Sequence, residues 1–506
     1  MATLSATSSP PASPPLQTAR PGDDRPISHF NVIVVGAGLS GIGAGYRLQT
    51  ECPERSYAIL EGRARLGGTW DFFTYPGIRS DSDMFTLGYP FHPWQAAKAI
   101  ADGADILRYI RDTADTYGIS KHIKYERRVT QAAWSSEHAQ WTLTVSAPQG
   151  AERYTCAFLY LCSGYYSYEA GHAPHFEGVE NFSGPVIHPQ AWPAALTYRG
   201  KRVVVIGSGA TAVTLVPTLA REAAHVTMLQ RSPSYIASLP DKDAIADALR
   251  KVLPARLAHS LVRWKNVTMS LGFYQFCKRF PIAATRLLKR GVRAEVGAAC
   301  DVERHFTPKY KPWDQRLCLV PNADLFVALK EGRASIITDG VRRLNATGIE
   351  LTSGEQLDAD IIVTATGLRI VACGGIQLQV DGADIDPSQT YIYKGLLFSG
   401  VPNFAWCLGY TNASWTLRAD LSSSFVCRLL KQMDRGGYKV VEPRLDAGAM
   451  EAVPILDLAS GYVERAVDRF PKQGTKAPWH LRQNYLLDFV TMKISGLDDG
   501  TLEFRK

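Results

Sequence analysis

Apolar and polar positions along this chain follow two periods, and the switches between them predict its elements. The run Phe30–Val35 is β-branched and almost wholly apolar, as in a strand covered on both faces, and it ends directly in glycines at Gly36, Gly38 and Gly41. The following residues, IGAGYRLQ, fit a helix, and Tyr57–Leu60 is a second short apolar strand. The same order returns later, with strand Lys201–Ile206, glycine loop Gly207–Ala212 (GSGATA), a helical stretch and strand Val226–Leu229. Between the two units, Asp105–Ile119 is an amphipathic helix. Alternation around Tyr125–Val129, Ala133–Trp134 and Trp141–Val145 predicts an antiparallel meander. Phe158–Ser163 then reads as a central strand ending at Gly164, Asp241–Arg304 is helical in pattern, and Asp360–Gly367 is a further strand. Strands alternating with helices predict an α/β fold with two dinucleotide-binding, Rossmann-like domains.

A chain of 506 residues exceeds what one core serves, so several domains are expected. The 46% apolar and 21% charged residues are ordinary for a globular protein, and the net charge of +8 is dispersed. That charge suits a dinucleotide phosphate and makes no case for nucleic acid. The nine cysteines form neither a C-x-x-C pair nor a Cys/His cluster with metal spacing, so no metal is expected and a reducing, cytoplasmic setting is. No apolar run approaches the ~20 residues of a membrane span. Residues 1–28 are rich in Ser, Pro, Ala and Thr and predict a disordered tail.

The glycine loops carry chemistry. Gly36 permits the tight turn, Gly38 lets backbone approach a pyrophosphate, and Gly41 lets helix pack on strand, with Ser40 beside them. Glu61, about twenty residues beyond the last glycine, stands where a ribose-binding acid belongs. That logic suits FAD. The second loop (Gly207, Ser208, Gly209, Ala210, Thr211, Ala212) is followed by Arg231 and Ser232 in place of the acid. A guanidinium and a hydroxyl suit a 2′-phosphate, so the second nucleotide is expected to be NADPH. Two such sites imply hydride transfer from nicotinamide to flavin. The insert at 241–304 interleaves aromatic and basic residues. This fits a packed helical insert with a solvated basic face, and it also leaves room for a membrane-surface contact.

Between the loops lies FSGPVIHPQAWP, which sets Phe182, Gly184, His188 and Trp192 at the spacing F-x-G-x-x-x-H-x-x-x-W-P. This resembles the signature of Baeyer–Villiger monooxygenases, flavin enzymes that insert oxygen beside a ketone carbonyl. Leu66–Asp83 is similar to another motif of that family. The match implies that Thr69 and Trp70 lie near the flavin, and Arg79, Ser80 and Asp81 near flavin and nicotinamide, with the adenosine end of FAD near Val129. HFTPKYKPWDQRLCLVPNADLF, from His305, resembles one subgroup of the family and implies Arg316 as the catalytic arginine, paired with Asp81. Gly409 and Tyr410 look like a further flavin-side motif of that subgroup.

The resemblance implies a discontinuous FAD domain (29–180 and 351–506), a signature linker (181–195), and an NADPH domain (196–350) holding the insert. It further implies a NADPH- and O2-dependent monooxygenase in which an anionic peroxide at the flavin C4a carbon attacks a ketone to give an ester or lactone. A sulfide would instead become a sulfoxide. His188 and Trp192 are expected to act at the hinge, supporting closure. Inside the class, the alternative is an N- or S-oxygenating flavin monooxygenase, whose relatives lack the arginine segment. A disulfide reductase would want a cysteine pair after Gly41, and none is there.

Overall fold

The computed structural model describes residues 27–445, 448, 450–456 and 458–506. The expected tail lies outside these, apart from its last two residues, and Ser28 already begins the first strand.

Two sheets organise the molecule, the first mixed and the second parallel. The first runs Ile123–Lys124, Tyr57–Leu60, Ser28–Val35, Gly150–Leu161 and Phe404–Trp406, all parallel, with Val35 opposite Leu60 on one side and Leu161 on the other. Gly150–Leu161 serves two partners. Residues 150–156 pair antiparallel with Gln140–Ala147, and residues 154–161 pair parallel with Ser28–Val35. The expected third meander stretch, Trp141–Val145, is the strand Gln140–Ala147, while the expected central strand is the second half of a longer strand that begins at Gly150 and closes the meander. The reason is local: nothing between Tyr154 and Leu161 breaks the extended text, and both faces are covered there. Arg128–Ser135 and Gln377–Val380 extend the sheet.

The second sheet is fully parallel, in the order Ala334–Thr338, His225–Gln230, Arg202–Ile206, Ile361–Thr364, Val186–Ile187. This corrects two expected boundaries. Ile361–Thr364 pairs within the second sheet, so the chain does not return to the first unit at residue 351. Its first strand back there is Gln377–Val380, followed by Phe404–Trp406. The signature segment likewise contributes edge strand Val186–Ile187 to the second sheet and is no free linker. An apolar run predicts a buried strand, but it cannot name the sheet, because pairing is settled by residues far away in sequence.

The insert forms three helices, Ala244–Val252, Ala255–Arg279 and Pro281–Val296. Although it belongs to the second unit in sequence, it is tied to the first. The buried Arg263 donates from Nη1 to the carbonyls of Phe85 (2.7 Å) and Gly88 (2.8 Å) at the end of helix Met84–Leu87. A cation there satisfies carbonyls that lack intrahelical partners. Arg250 donates to Trp94 O at 2.7 Å, and Asn266 to Asp83 Oδ1 at 2.8 Å.

His259 is buried in this seam, and desolvation, reinforced by Arg263 and Arg250, pushes its pKa down to about 4. It is therefore neutral in the fold, while the unfolded chain takes a proton below ~6.5. The unfolded state binds the extra proton between those values, so stability falls as pH drops through that window. Between pH ~7.5 and ~5 the loss attributable to this group is roughly 2 kcal/mol. His259→Leu is expected to remove that component, read as the difference in urea-unfolding free energy between the two pH values.

Candidate active site

Both glycine loops open onto one cleft of about 1460 Å³. At the first loop Gly36 has φ +104°, and a Cβ there would lie 2.6 Å from Cys162 O. A Cβ on Gly41 would lie 1.8 Å from Gly36 O, so helix Leu39–Glu51 can start against its strand only with glycine at that position. Glu61, buried at the end of its strand, accepts N–H bonds from Ala37 (2.7 Å) and Arg63 (2.9 Å). Burial raises its carboxyl pKa, and those two donors oppose the rise. The acid thus clamps the loop while still lining the cleft. Ser40 also lines it, but its hydroxyl accepts from Trp415 Nε1 at 2.7 Å. Thr69, Trp70 and Val129 complete this side.

At the second loop Gly207 has φ +138° with Ala365 O 2.3 Å from a would-be Cβ. Gly209 meets nothing within 4 Å, leaving its backbone open at the N-terminus of helix Ala210–Leu219. Ser208, Ala210 and Thr211 line the cleft, and Ser208 Oγ is tied to Ser232 O at 3.0 Å. Arg231 and Ser232 are exposed at its wall, and Arg231 has no acidic partner among the described residues. Gly41 and Ala212 lie beneath their loops, buried and away from the cavity wall.

Between the loops Arg316 Nε and Asp81 Oδ2 stand 2.8 Å apart, each about a third exposed (31% and 33%) to the cavity. Asp81 is the main reason the Arg316 pKa rises above its ordinary value, outweighing burial. Tyr165, Tyr462 and Tyr166 add to it. The guanidinium is therefore charged wherever the protein is folded. Tyr165 and Tyr166 bond to each other at 3.0 Å, and Tyr165 stacks on Trp415 with ring centroids 5.2 Å apart. All four aromatics line the cleft, and sequence reasoning missed them. The two tyrosines directly after Gly164 were the available signal.

Arg79 and Ser80 line the cleft with their polar groups already engaged, and Gly409 and Tyr410 stand off its wall. Arg79 reaches the cleft wall, but its guanidinium is taken by Asp324. Ser80 lines the cleft as well, with its hydroxyl donating to Ser82 O at 2.7 Å. Tyr410 turns away from the cleft and donates to Asp488 at 2.6 Å, while Gly409 backs onto the Trp415 ring, 2.3 Å from a would-be Cβ. Trp415 lines the cleft in front of Gly409.

The signature residues Phe182, Gly184, His188 and Trp192 stand outside the cleft wall. Phe182 is buried in a small core, and a Cβ on Gly184 would lie 2.2 Å from Asp360 O. His188 Nδ1 accepts from Gln190 N at 3.2 Å, which leaves Nε2–H to donate to Gly367 O at 3.1 Å. Burial lowers its pKa, which favours this neutral form. Because Gly367 itself lines the cleft, His188 ties the signature to the cavity at one remove. Trp192 is half-buried against the second core.

Comparison with known proteins gives the family and the fold. Residues 78–266 match the family described as flavin-binding monooxygenase-like, and residues 34–102 match the NAD(P)-binding Rossmann-like domain. FAD-containing monooxygenase EthA of Mycolicibacterium smegmatis is 51% identical over 479 residues, covering 94% of this chain and 97% of that protein. The EthA of Mycobacterium tuberculosis is 50% identical over 479 residues, covering 94% and 98%. The chain belongs to the FAD-containing monooxygenases. Among solved structures, an oxidised steroid monooxygenase bound to NADP aligns with TM-score 0.69 at 23% identity, over 83% of this chain and 89% of that one. A closed cyclohexanone monooxygenase aligns with TM-score 0.67 at 21% identity, over 84% and 88%. At those identities the likeness is one of fold.

The cleft of this monooxygenase fits two dinucleotides. Its volume exceeds the ~300–1,000 Å³ of a site for one small ligand. Each end offers a helix N-terminus behind a glycine turn for a pyrophosphate. Glu61 suits a ribose hydroxyl at the first, and Arg231 with Ser232 suits a 2′-phosphate at the second. Arg231→Ala is expected to raise the KM for NADPH by about 10–100-fold, the loss of a charge-assisted bond, while the KM for NADH is unchanged. Steady-state kinetics with both nucleotides checks this.

Proposed function

We propose that this protein is a Baeyer–Villiger monooxygenase that uses FAD, NADPH and O2 to convert ketones to esters or lactones, and that it also oxygenates sulfides. Linear or aryl ketones and bulky sulfides are the proposed substrates. The observation that carries this reading is the Arg316–Asp81 pair, set in the cleft between the two nucleotide loops. Bound FAD, reduced by NADPH, would supply the activated oxygen.

The rest is work for the chain's own residues. A ketone carbonyl is attacked by a negatively charged oxygen and becomes an oxyanion. A fixed cation nearby therefore lowers the barrier. Arg316 suits this because it holds its charge and carries several N–H donors, with Nε facing Asp81 and the side chain about a third exposed in the cleft. The stacked Tyr165 and Trp415 give the same cleft an aromatic wall. His188 acts as a positioning residue through Gly367, holding the signature strand against the cleft wall. A sulfide is itself the nucleophile and draws no help from a cation. The alternative, an N- or S-oxygenating enzyme without ketone activity, is disfavoured by Arg316 at this position.

The test is Arg316→Ala in the FAD-loaded enzyme. Ester formation from a ketone panel is expected to fall by about 10²–10³-fold, as when an oxyanion donor is removed, while NADPH still reduces the flavin. Sulfoxide formation should fall much less. Full ester formation in that variant would overturn the role given to Arg316.

A further inference from the structure

The insert leaves an apolar face that no described residue covers. On helix Ala255–Arg279, Leu257 (48% exposed), Leu261 (46%) and Trp264 (39%) follow an i, i+4, i+7 spacing and so share one stripe. The stripe continues onto another element. Trp264 meets Tyr485 and Phe489 with ring centroids 5.7 and 5.8 Å apart, placing helix Tyr485–Phe489 and the turn after it alongside. That segment exposes Leu486 (39%), Leu487 (41%), Val490 (47%) and Ile494 (65%). Seven large apolar side chains from two distant parts of the sequence thus form one outward surface. Scattered exposed leucines are ordinary, but a contiguous patch of this kind marks an interaction site.

Charge decides between occupants. Residues 244–296 carry eleven Lys and Arg against two Asp and Glu. Arg256, beside Leu257 in sequence, and Arg482, just before the second helix, are exposed, and Lys493, just past that helix, pairs with Asp420 at 3.7 Å. The one acid within that helix, Asp488, is turned inward to Tyr410 and Arg418. An apolar face with aromatics beside it, a predominantly basic insert and the acid of its short helix turned inward matches an anionic lipid surface. No described helix is long and apolar enough to cross a membrane, so the contact would be peripheral.

We propose that the face formed by Leu257, Leu261, Trp264, Leu487 and Val490 docks this enzyme on an anionic lipid bilayer. The assignment stands whichever substrate the cleft takes. It is tested with the full-length, FAD-loaded protein by co-sedimentation with phosphatidylcholine vesicles, with and without phosphatidylglycerol. The wild type is expected to pellet with the anionic vesicles, to stay in solution with the neutral ones, and to be partly released by high salt. Leu261→Glu combined with Leu487→Glu is expected to weaken binding by about tenfold or more, since each places a charge where acyl chains would lie. Both positions are exposed, so FAD absorbance and thermal midpoint should be unchanged. Leu239→Glu, at an exposed leucine (47%) outside both helices, should bind as the wild type does. Absence of binding to anionic vesicles overturns the proposal, as does a double variant that binds like the wild type. It is equally overturned if the double variant only dissociates an oligomer in sedimentation velocity, because the occupant is then a second copy of the chain.

Discussion

The contact on which the site depends is the ion pair between Arg316 and Asp81. Its partners come from different units: Asp81 from the loop after helix Thr69–Phe72, Arg316 from the segment entering strand Cys318–Pro321. Removing either charge would leave the other facing a cavity walled by aromatic rings, where an unpaired ion is costly. The pair therefore does two things at once. It holds the second unit's segment against the first, and it keeps a cation in the cavity between the two nucleotide loops.

That position follows from the sheets. In an open α/β sheet, ligands bind beyond the carboxyl ends of the strands, where glycine turns hand over to helix N-termini. Two such sheets facing one another make a single long cleft, and the residues linking them fall at its middle. The segment carrying Phe182–Trp192 is built into this frame as an edge strand, so its histidine touches the cavity wall only through Gly367. The insert completes the arrangement from outside. Through Arg263 and Arg250 it grips backbone carbonyls of the first unit while its sequence belongs to the second. Any rotation of one unit against the other must either carry the insert along or break those bonds.

A second set of buried charges stabilises the far side of the first unit. Arg418, almost fully buried, pairs with Asp488, and Arg47 pairs with Asp420 at 2.7 Å. These tie helix Trp415–Gly436 to the C-terminal segment and to the first nucleotide helix. Trp415, at the start of that helix, reaches the cleft because its indole N–H is held by Ser40. The displaced expectation for Gly409 and Tyr410 has this cause: Tyr410 OH finds its partner in Asp488, and the indole of Trp415 fills the room against Gly409.

Sequence alone determined what depends on short-range sterics and spacing. The two strand–glycine–helix units, the acid at Glu61, the arginine at Arg231 and the helical insert are all legible from residues within about thirty positions of one another. Their physics is local: a glycine at Gly36 or Gly41 is required by a backbone only a few bonds away. Tertiary structure decided what depends on long-range pairing. Nothing in DIIVTATG tells to which sheet Ile361–Thr364 belongs, that one strand from Gly150 serves two neighbours, or that Asp324 takes the charge of Arg79. It also alone brought Tyr165, Tyr166, Tyr462 and Trp415 around Arg316. Such contacts join residues hundreds of positions apart, and they are chosen by which apolar faces and charges can be satisfied together, a property of the packed chain and of no segment within it.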